Sequence, residues 1–289
     1  MTGALLRLLR LLWRALHRFS EDHGANHAAA VAYFSLLSLP PFLLLAGRIL
    51  ARVLPETDGT DGTDAIVAAV APFLPLELAP SLQSLSLGPS GHGGALVAFA
   101  IPVLLWVASY AFSSLEVAVN VAFGTTTLRR FWLSRLKAFA GLSGGVLLLG
   151  GTVVVGHLAS WLDRYYVRMG APSSLSPRAH VASAAALLAV TFVVFTLFYK
   201  WLPRGRVAWS AAGRAAAVAV VLWEFARRFF GGLLASSPAF GLLSGALAGI
   251  VAVMGWVYVA VAVTIYGAEV AALLNGNRPA TFGRRASGP

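Results

Sequence analysis

Six long apolar stretches constrain this chain more than any other feature. They run over residues 28–54, 95–123, 138–162, 181–202, 207–234 and 242–275. A helix needs roughly 20 mostly apolar residues to cross the hydrocarbon of a bilayer, and each stretch is long enough. In lipid the backbone must satisfy its own polar groups, which selects helices over open strands. Charged residues make up 11% of the chain and hydrophobic residues 58%. A soluble domain carries about 25% charge to wet its surface, so this much apolar surface has to face lipid. The expected fold is all-α: a polytopic membrane helix bundle with six transmembrane helices.

Residues 1–27 precede the first span and read differently. Arg7, Arg10, Arg14 and Arg18 recur at helical spacing along one face, while Leu5, Leu8, Leu12, Leu16 and Phe19 occupy much of the rest. That pattern predicts an N-terminal amphipathic helix lying in the membrane interface, its arginines toward anionic headgroups and membrane lipids as its partners. The arginines interrupt the apolar run and no small-residue cleavage site closes it, so it does not read as a secretory signal. The expected organisation is an amphipathic segment over 1–27, a transmembrane domain over 28–275 with an outer loop at 55–94, and a tail over 276–289.

Charge sets the expected orientation. Residues 55–94 contain no lysine or arginine but hold Glu56, Asp58, Asp61, Asp64 and Glu77. The opposite side collects Arg7, Arg10, Arg14, Arg18, Arg129, Arg130, Arg135, Lys137, Lys200, Arg204, Arg206, Arg214, Arg278, Arg284 and Arg285, against Arg48, Arg52, Arg164, Arg168, Arg178, Arg227 and Arg228 on the outer side. Positive loops stay in the cytoplasm, so both termini are expected there. The net charge of +11 follows from this topology and does not call for a nucleic-acid partner.

Ionisable side chains inside spans are the strongest functional pointers in such a sequence. Glu116, Glu224 and Glu269 qualify. Glu224 lies ten residues past Arg214, about 15 Å along a helix. Arg227 and Arg228 follow it at i+3 and i+4, on the same face. One reading has Glu224 pairing with these arginines for stability. The sharper reading has Trp223, Glu224 and Arg227 lining a polar cavity that accepts a solute, an ion or a lipid headgroup. Assembly contacts are a third. Glu116, with Asn120 one turn on, and Glu269 lie nearer the inner ends of their helices; they either bond neighbouring helices or join one cytoplasm-facing cavity.

Small residues predict packing seams. Gly241, Gly245 and Gly249 repeat every four residues, as do Gly141 and Gly145, which lets helix backbones approach closely within the chain or across a homo-oligomer. Pro40 and Pro41 predict a kink in the first span.

Catalytic and cofactor machinery is sparse. The chain has no cysteine, which excludes disulfides, thiolate metal sites and cysteine nucleophiles. No glycine-rich loop ends in Gly-Lys-Ser or Gly-Lys-Thr to cradle a nucleotide. The six histidines form no dense cluster with aspartates. His23 and His27 stand four apart near Asp22, without a third metal ligand, and read as interfacial polar residues. No enzyme activity, cofactor or metal is expected.

Several motifs resemble a known family. The run Ala29-Ala30-Val31-Ala32-Tyr33-Phe34-Ser35-Leu36-Leu37-Ser38-Leu39-Pro40-Pro41 is similar to the opening of the YihY/virulence factor BrkB proteins. So are Leu115-Glu116-Val117-Ala118-Val119-Asn120 with the basic loop from Arg129 to Lys137, and Trp223-Glu224. The last span adds Gly245 to Ile250, Trp256-Val257-Tyr258 and Gly267-Ala268-Glu269. The order and spacing of these motifs over residues 18–275 carry the resemblance, and no single one does. Two prolines stand at 40–41 where one is typical, and valine and alanine replace leucine runs in the last span. The resemblance implies a six-helix bacterial inner-membrane protein, with Glu116, Asn120, Trp223, Glu224 and Glu269 as positions of importance. Members once carried the label ribonuclease BN, whereas this sequence lacks a visible nuclease centre. A transporter-like or lipid-handling protein is the leading expectation, a non-catalytic scaffold or envelope component the alternative, and a ribonuclease the least supported.

Overall fold

A computed structural model describes residues 2–53, 93–125, 176–236 and 246–277. The expected third span at 138–162, nearly all of the outer loop, and the tail past Asn277 lie outside the described residues. Among the described residues the fold is all-helical, with six helices: α1 Thr2–Glu21, α2 Gly24–Val53, α3 Gly93–Ala122, α4 Ser176–Trp201, α5 Trp209–Ser236 and α6 Ala246–Leu274.

The first helix is rich in leucine and arginine, both strong helix formers. It stops because His23 adopts a left-handed φ of 53°, which takes the chain out of the helical run. Gly24 then opens α2 at a tight corner. A Cβ at that position would lie 2.4 Å from the Phe19 ring, so only glycine fits. The His23 carbonyl accepts the amide of His27 at 3.1 Å. His23 is thus the turn residue of this corner, rather than one of two histidines on a common helical face.

The next two helices are 30 residues each, about 45 Å long, which exceeds the hydrocarbon thickness of about 30 Å. α2 is helical through Pro40 and Pro41, and α3 through Pro102. The fixed φ of proline is itself a helical value, so the lost donor does not force the chain out of the helix. Among the described residues two segments, Ile101–Ala122 and Ala248–Leu274, are long and apolar enough to cross a membrane. Only 22% and 28% of their most apolar windows are buried. The core helix of a soluble protein would bury most of its length. Trp106 and Val251 are exposed on these two segments, and exposed Leu188, Val221, Phe225 and Phe229 continue the same apolar outer surface over α4 and α5.

Hydroxyls inside these helices are satisfied locally, as lipid requires. Ser113 donates to the Ser109 carbonyl at 2.7 Å, Thr191 to Leu187 at 2.9 Å and Thr264 to Ala260 at 2.8 Å.

α2 packs antiparallel to α3 and α6, and α5 antiparallel to α4 and α6. Ala28 at the start of α2 meets Ala118 near the end of α3 and Ile265 near the end of α6. Ala211, Ala212, Ala215, Ala216 and Ala219 line α5 against Tyr199 of α4 and Ala268 to Ala272 of α6. The tightest approach falls at Gly267, where a Cβ would lie 2.0 Å from the Tyr199 hydroxyl. Gly249 is buried in α6, while Gly141, Gly145, Gly241 and Gly245 lie outside the described residues. At the far end, Trp256 packs with Trp223, Phe230, Leu36 and Leu39.

α1 lies against α6. Ala15 is buried, Leu11 and Leu12 pack on the core, and the Tyr266 hydroxyl donates to the Leu12 carbonyl at 2.9 Å. Its remaining surface carries two stripes at helical spacing, Leu6, Leu9, Trp13 and Leu16 on one and Arg7, Arg10 and Arg14 on the other, all exposed.

Candidate functional site

One end of the bundle gathers a polar layer from four separate parts of the chain. α3 and α6 terminate there in the same way. The amide of Thr125 donates to the Asn120 carbonyl, and that of Asn277 to the Ala272 carbonyl, both at 2.9 Å. Each ending passes through a left-handed glycine, Gly124 at φ 72° and Gly276 at φ 78°, the residue that adopts this conformation without a Cβ clash. The two endings leave asparagine side chains facing the loop between α4 and α5.

These asparagines hold that loop. Asn120 accepts the Arg204 amide at 3.0 Å and donates to the Glu116 carbonyl at 2.7 Å. Asn275 accepts the Ala208 amide at 2.9 Å and donates to the Arg206 carbonyl at 3.1 Å. Asn277 donates to the Phe123 carbonyl at 3.1 Å. Both terminal nitrogens of Arg18 donate to the Asn277 carbonyl at 3.3 Å, which ties α1 into the same layer. Beneath it the Arg204 guanidinium lies 3.7 Å from the Glu116 carboxylate, their side chains 15% and 3% exposed.

A second acidic position lies at the corner between α1 and α2. Glu269 of α6 is fully buried and faces Asp22 within hydrogen-bonding reach. Among the described residues neither Glu269 oxygen receives a donor, and Asp22 Oδ2 is likewise buried without one. Burial pushes the Asp22 carboxyl above its ordinary value of 3.8, outweighing the hydrogen-bonding influence of Glu269 and the pull of Arg18.

The third charged position is Glu224. It receives Arg227 Nη2 at 2.8 Å and Nε at 3.1 Å, and Arg228 Nε at 2.8 Å. All three residues belong to α5, and the bonds join i to i+3 and i+4. The Glu224 side chain is 25% exposed and that of Arg228 76%. Trp223 turns away into an aromatic cluster, with Phe195 at 5.7 Å and Trp256 at 5.4 Å between ring centroids.

The residues singled out from the sequence therefore fall in different places. Glu116 and Asn120 share one cluster with Arg204, Glu224 and Arg227 share another, and Glu269 pairs with Asp22. Glu116 and Glu269 lie about 8–9 Å from the ends of their helices, whereas Glu224 lies about 22 Å along α5 from its start, at 1.5 Å per residue. Sequence reasoning missed the partners Arg204, Asp22 and Asn275. In the sequence Arg204 reads only as a topological charge. The Asn275-Gly276-Asn277 ending was a legible signal, since such a run marks a helix stop with side-chain amides to spare.

Comparison with known proteins gives the family. The Virulence factor BrkB family model matches residues 15–287. The UPF0761 membrane protein of Paraburkholderia xenovorans is 25% identical over 277 residues, covering 96% of this chain and 62% of that protein. The UPF0761 membrane protein of Ralstonia nicotianae is 28% identical over 280 residues, with coverage of 96% and 62%. A Bacillus subtilis protein named as ribonuclease-like, YfkH, is 25% identical over 263 residues and is covered over 92% of its length. The chain thus spans less than two thirds of the length of the UPF0761 relatives named here. No solved structure matches it. With the family match running over nearly its whole length, this membrane protein belongs to the BrkB/YihY (UPF0761) family.

Proposed function

We propose that the chain is a six-span protein of the bacterial inner membrane, with both termini cytoplasmic, that handles a solute or lipid headgroup bearing an anionic group. Topology is supported by the shared end of the bundle. The ends of α3, α4 and α6 and the starts of α2 and α5 meet there through Asn120, Asn275 and Arg18. Between α3 and α4 the sequence supplies one apolar stretch, 138–162, which brings the crossings to six. The end so defined also carries Arg18, Arg204 and Arg206, on the side that positive residues favour.

The observation that carries the functional reading is the Glu224–Arg227–Arg228 cluster. A charged side chain inside a span costs at least about 2.5 kcal/mol when it faces hydrocarbon, yet Arg228 is largely exposed. One carboxylate set against two guanidiniums leaves a net positive charge, with guanidinium donors beyond those that Glu224 takes among the described residues, which suits a phosphate or carboxylate. Glu224 in this reading orients the arginines. No catalysis is assigned to the chain; the ribonuclease-like name belongs to the Bacillus relative, and positive inner loops follow from topology alone.

The test is native mass spectrometry of protein gently extracted from its membrane, comparing wild type with Arg228→Gln and Glu224→Gln. The expected result is an anionic lipid or solute adduct on the wild type that is depleted in both folded variants. Identical spectra in all three would sink the reading and favour a scaffold or envelope component, with the search moving to protein partners.

A further inference from the structure

We propose that Asp22 and Glu269 form a proton-binding site, holding one proton between their carboxyl groups and thereby latching the α1–α2 corner onto the inner part of α6. Glu269 is 0% exposed, and both its oxygens lack a donor among the described residues. The group it faces is a second carboxyl, Asp22, with one oxygen equally buried and unserved. Two ionised carboxylates are acceptors only and repel each other. An unpaired buried charge is among the costliest arrangements a protein can hold. A single proton relieves the repulsion, because it turns one acceptor into a donor aimed at the other and removes one of the two charges, and Arg18 acts on the charge that remains.

The surrounding charges fit one proton better than a metal ion. Arg18 of α1 acts on both carboxyls but commits its terminal nitrogens to the Asn277 carbonyl. Glu21 of α1 opposes it, and His23 at the corner adds to it. His27 of α2 faces Asp22 and His23. A divalent cation of the calcium type asks for six to eight oxygen ligands and would meet the Arg18 charge; a proton needs only the two carboxyls. The corner itself is tightly built, with Gly24 against Phe19 and Phe19 edge-on to Tyr266 of α6 at 6.5 Å. Loss of the proton therefore acts on the seam between α1, α2 and α6. This site stands independently of any solute carried at Glu224.

The test is infrared difference spectroscopy of the full chain in lipid nanodiscs during a pH titration, reading the carbonyl stretch of protonated carboxyl groups. Wild type is expected to show such a band at neutral pH. Glu269→Gln supplies a permanent amide donor to Asp22, so its fold is retained and the band is lost. Asp22→Asn, the second variant, supplies the donor from the other side and is expected to shift or abolish the band. A wild-type spectrum with no protonated carboxyl at neutral pH overturns the proposal, as does a band of unchanged position and intensity in both variants.

Discussion

The Tyr199 hydroxyl donates to the Thr264 carbonyl at 3.1 Å while its ring lies across the face of Gly267. Tyr199 is fully buried, so its polar tip has to find a partner inside the bundle. The bare backbone of α6 at Gly267 is what lets it come close enough.

Gly267→Ala is expected to destabilise the bundle by about 1–3 kcal/mol, the range for overpacking a filled core. The added Cβ would meet Tyr199 Oη at 2.0 Å and Cζ at 2.7 Å, and a fully buried ring has nowhere to retreat. Combining it with Tyr199→Phe removes only the nearer atom and should recover part of the loss. Thermal unfolding of the two variants in the same detergent checks this.

Asn275→Ala leaves the Ala208 amide and the Arg206 carbonyl without their side-chain partner. Each such group costs about 1–3 kcal/mol if it stays buried, and less if water reaches it. Hydrogen exchange at Ala208 should rise in this variant. Unchanged protection there would show that Asn275 does not hold the loop.

Glu116→Ala is expected to destabilise far more than Glu224→Ala. Breaking a buried ion pair by removing its carboxylate costs about 3–5 kcal/mol. Glu116 and Arg204 are nearly enclosed, whereas Glu224 pairs within its own helix at a partly exposed position. Pairs of that kind stabilise by only a few tenths of a kcal/mol when exposed. Parallel melting curves of the two variants decide it.

Replacing Arg7, Arg10 and Arg14 with glutamine is expected to strip anionic lipids from the purified protein while leaving its melting temperature nearly unchanged. All three are exposed beside the apolar stripe of Leu6, Leu9, Trp13 and Leu16. Each basic residue near an anionic surface contributes about 1 kcal/mol of attraction. Lipid content measured after purification from phosphatidylglycerol-containing membranes is the readout.

Stability should fall as pH rises above 3.8 through the raised pKa of Asp22. The sign follows from proton linkage: the folded state binds a proton that the unfolded chain releases at its ordinary value, so the stabilisation is complete below 3.8 and is lost on the way up. Asp22→Asn should flatten that part of the profile. A wild-type melting temperature that climbs over the same window would contradict the direction.

The sequence alone determined that this chain lives in a membrane as helices, because apolar length and the scarcity of charge are local properties that no packing can reverse. It also marked α1 as amphipathic, from arginine spacing, and pointed to Glu116, Glu224 and Glu269 as expensive residues. Their partners were decided only in three dimensions. The pair at Glu224 was legible because i, i+3 and i+4 on one helix are fixed by helical geometry. Glu116 with Arg204, Glu269 with Asp22 and Tyr199 with Gly267 join residues that are 88, 247 and 68 positions apart. No periodicity encodes such distances. They are set by which helices pack together and at what height, and that depends on where small side chains such as Ala219 and Gly267 allow two backbones to meet.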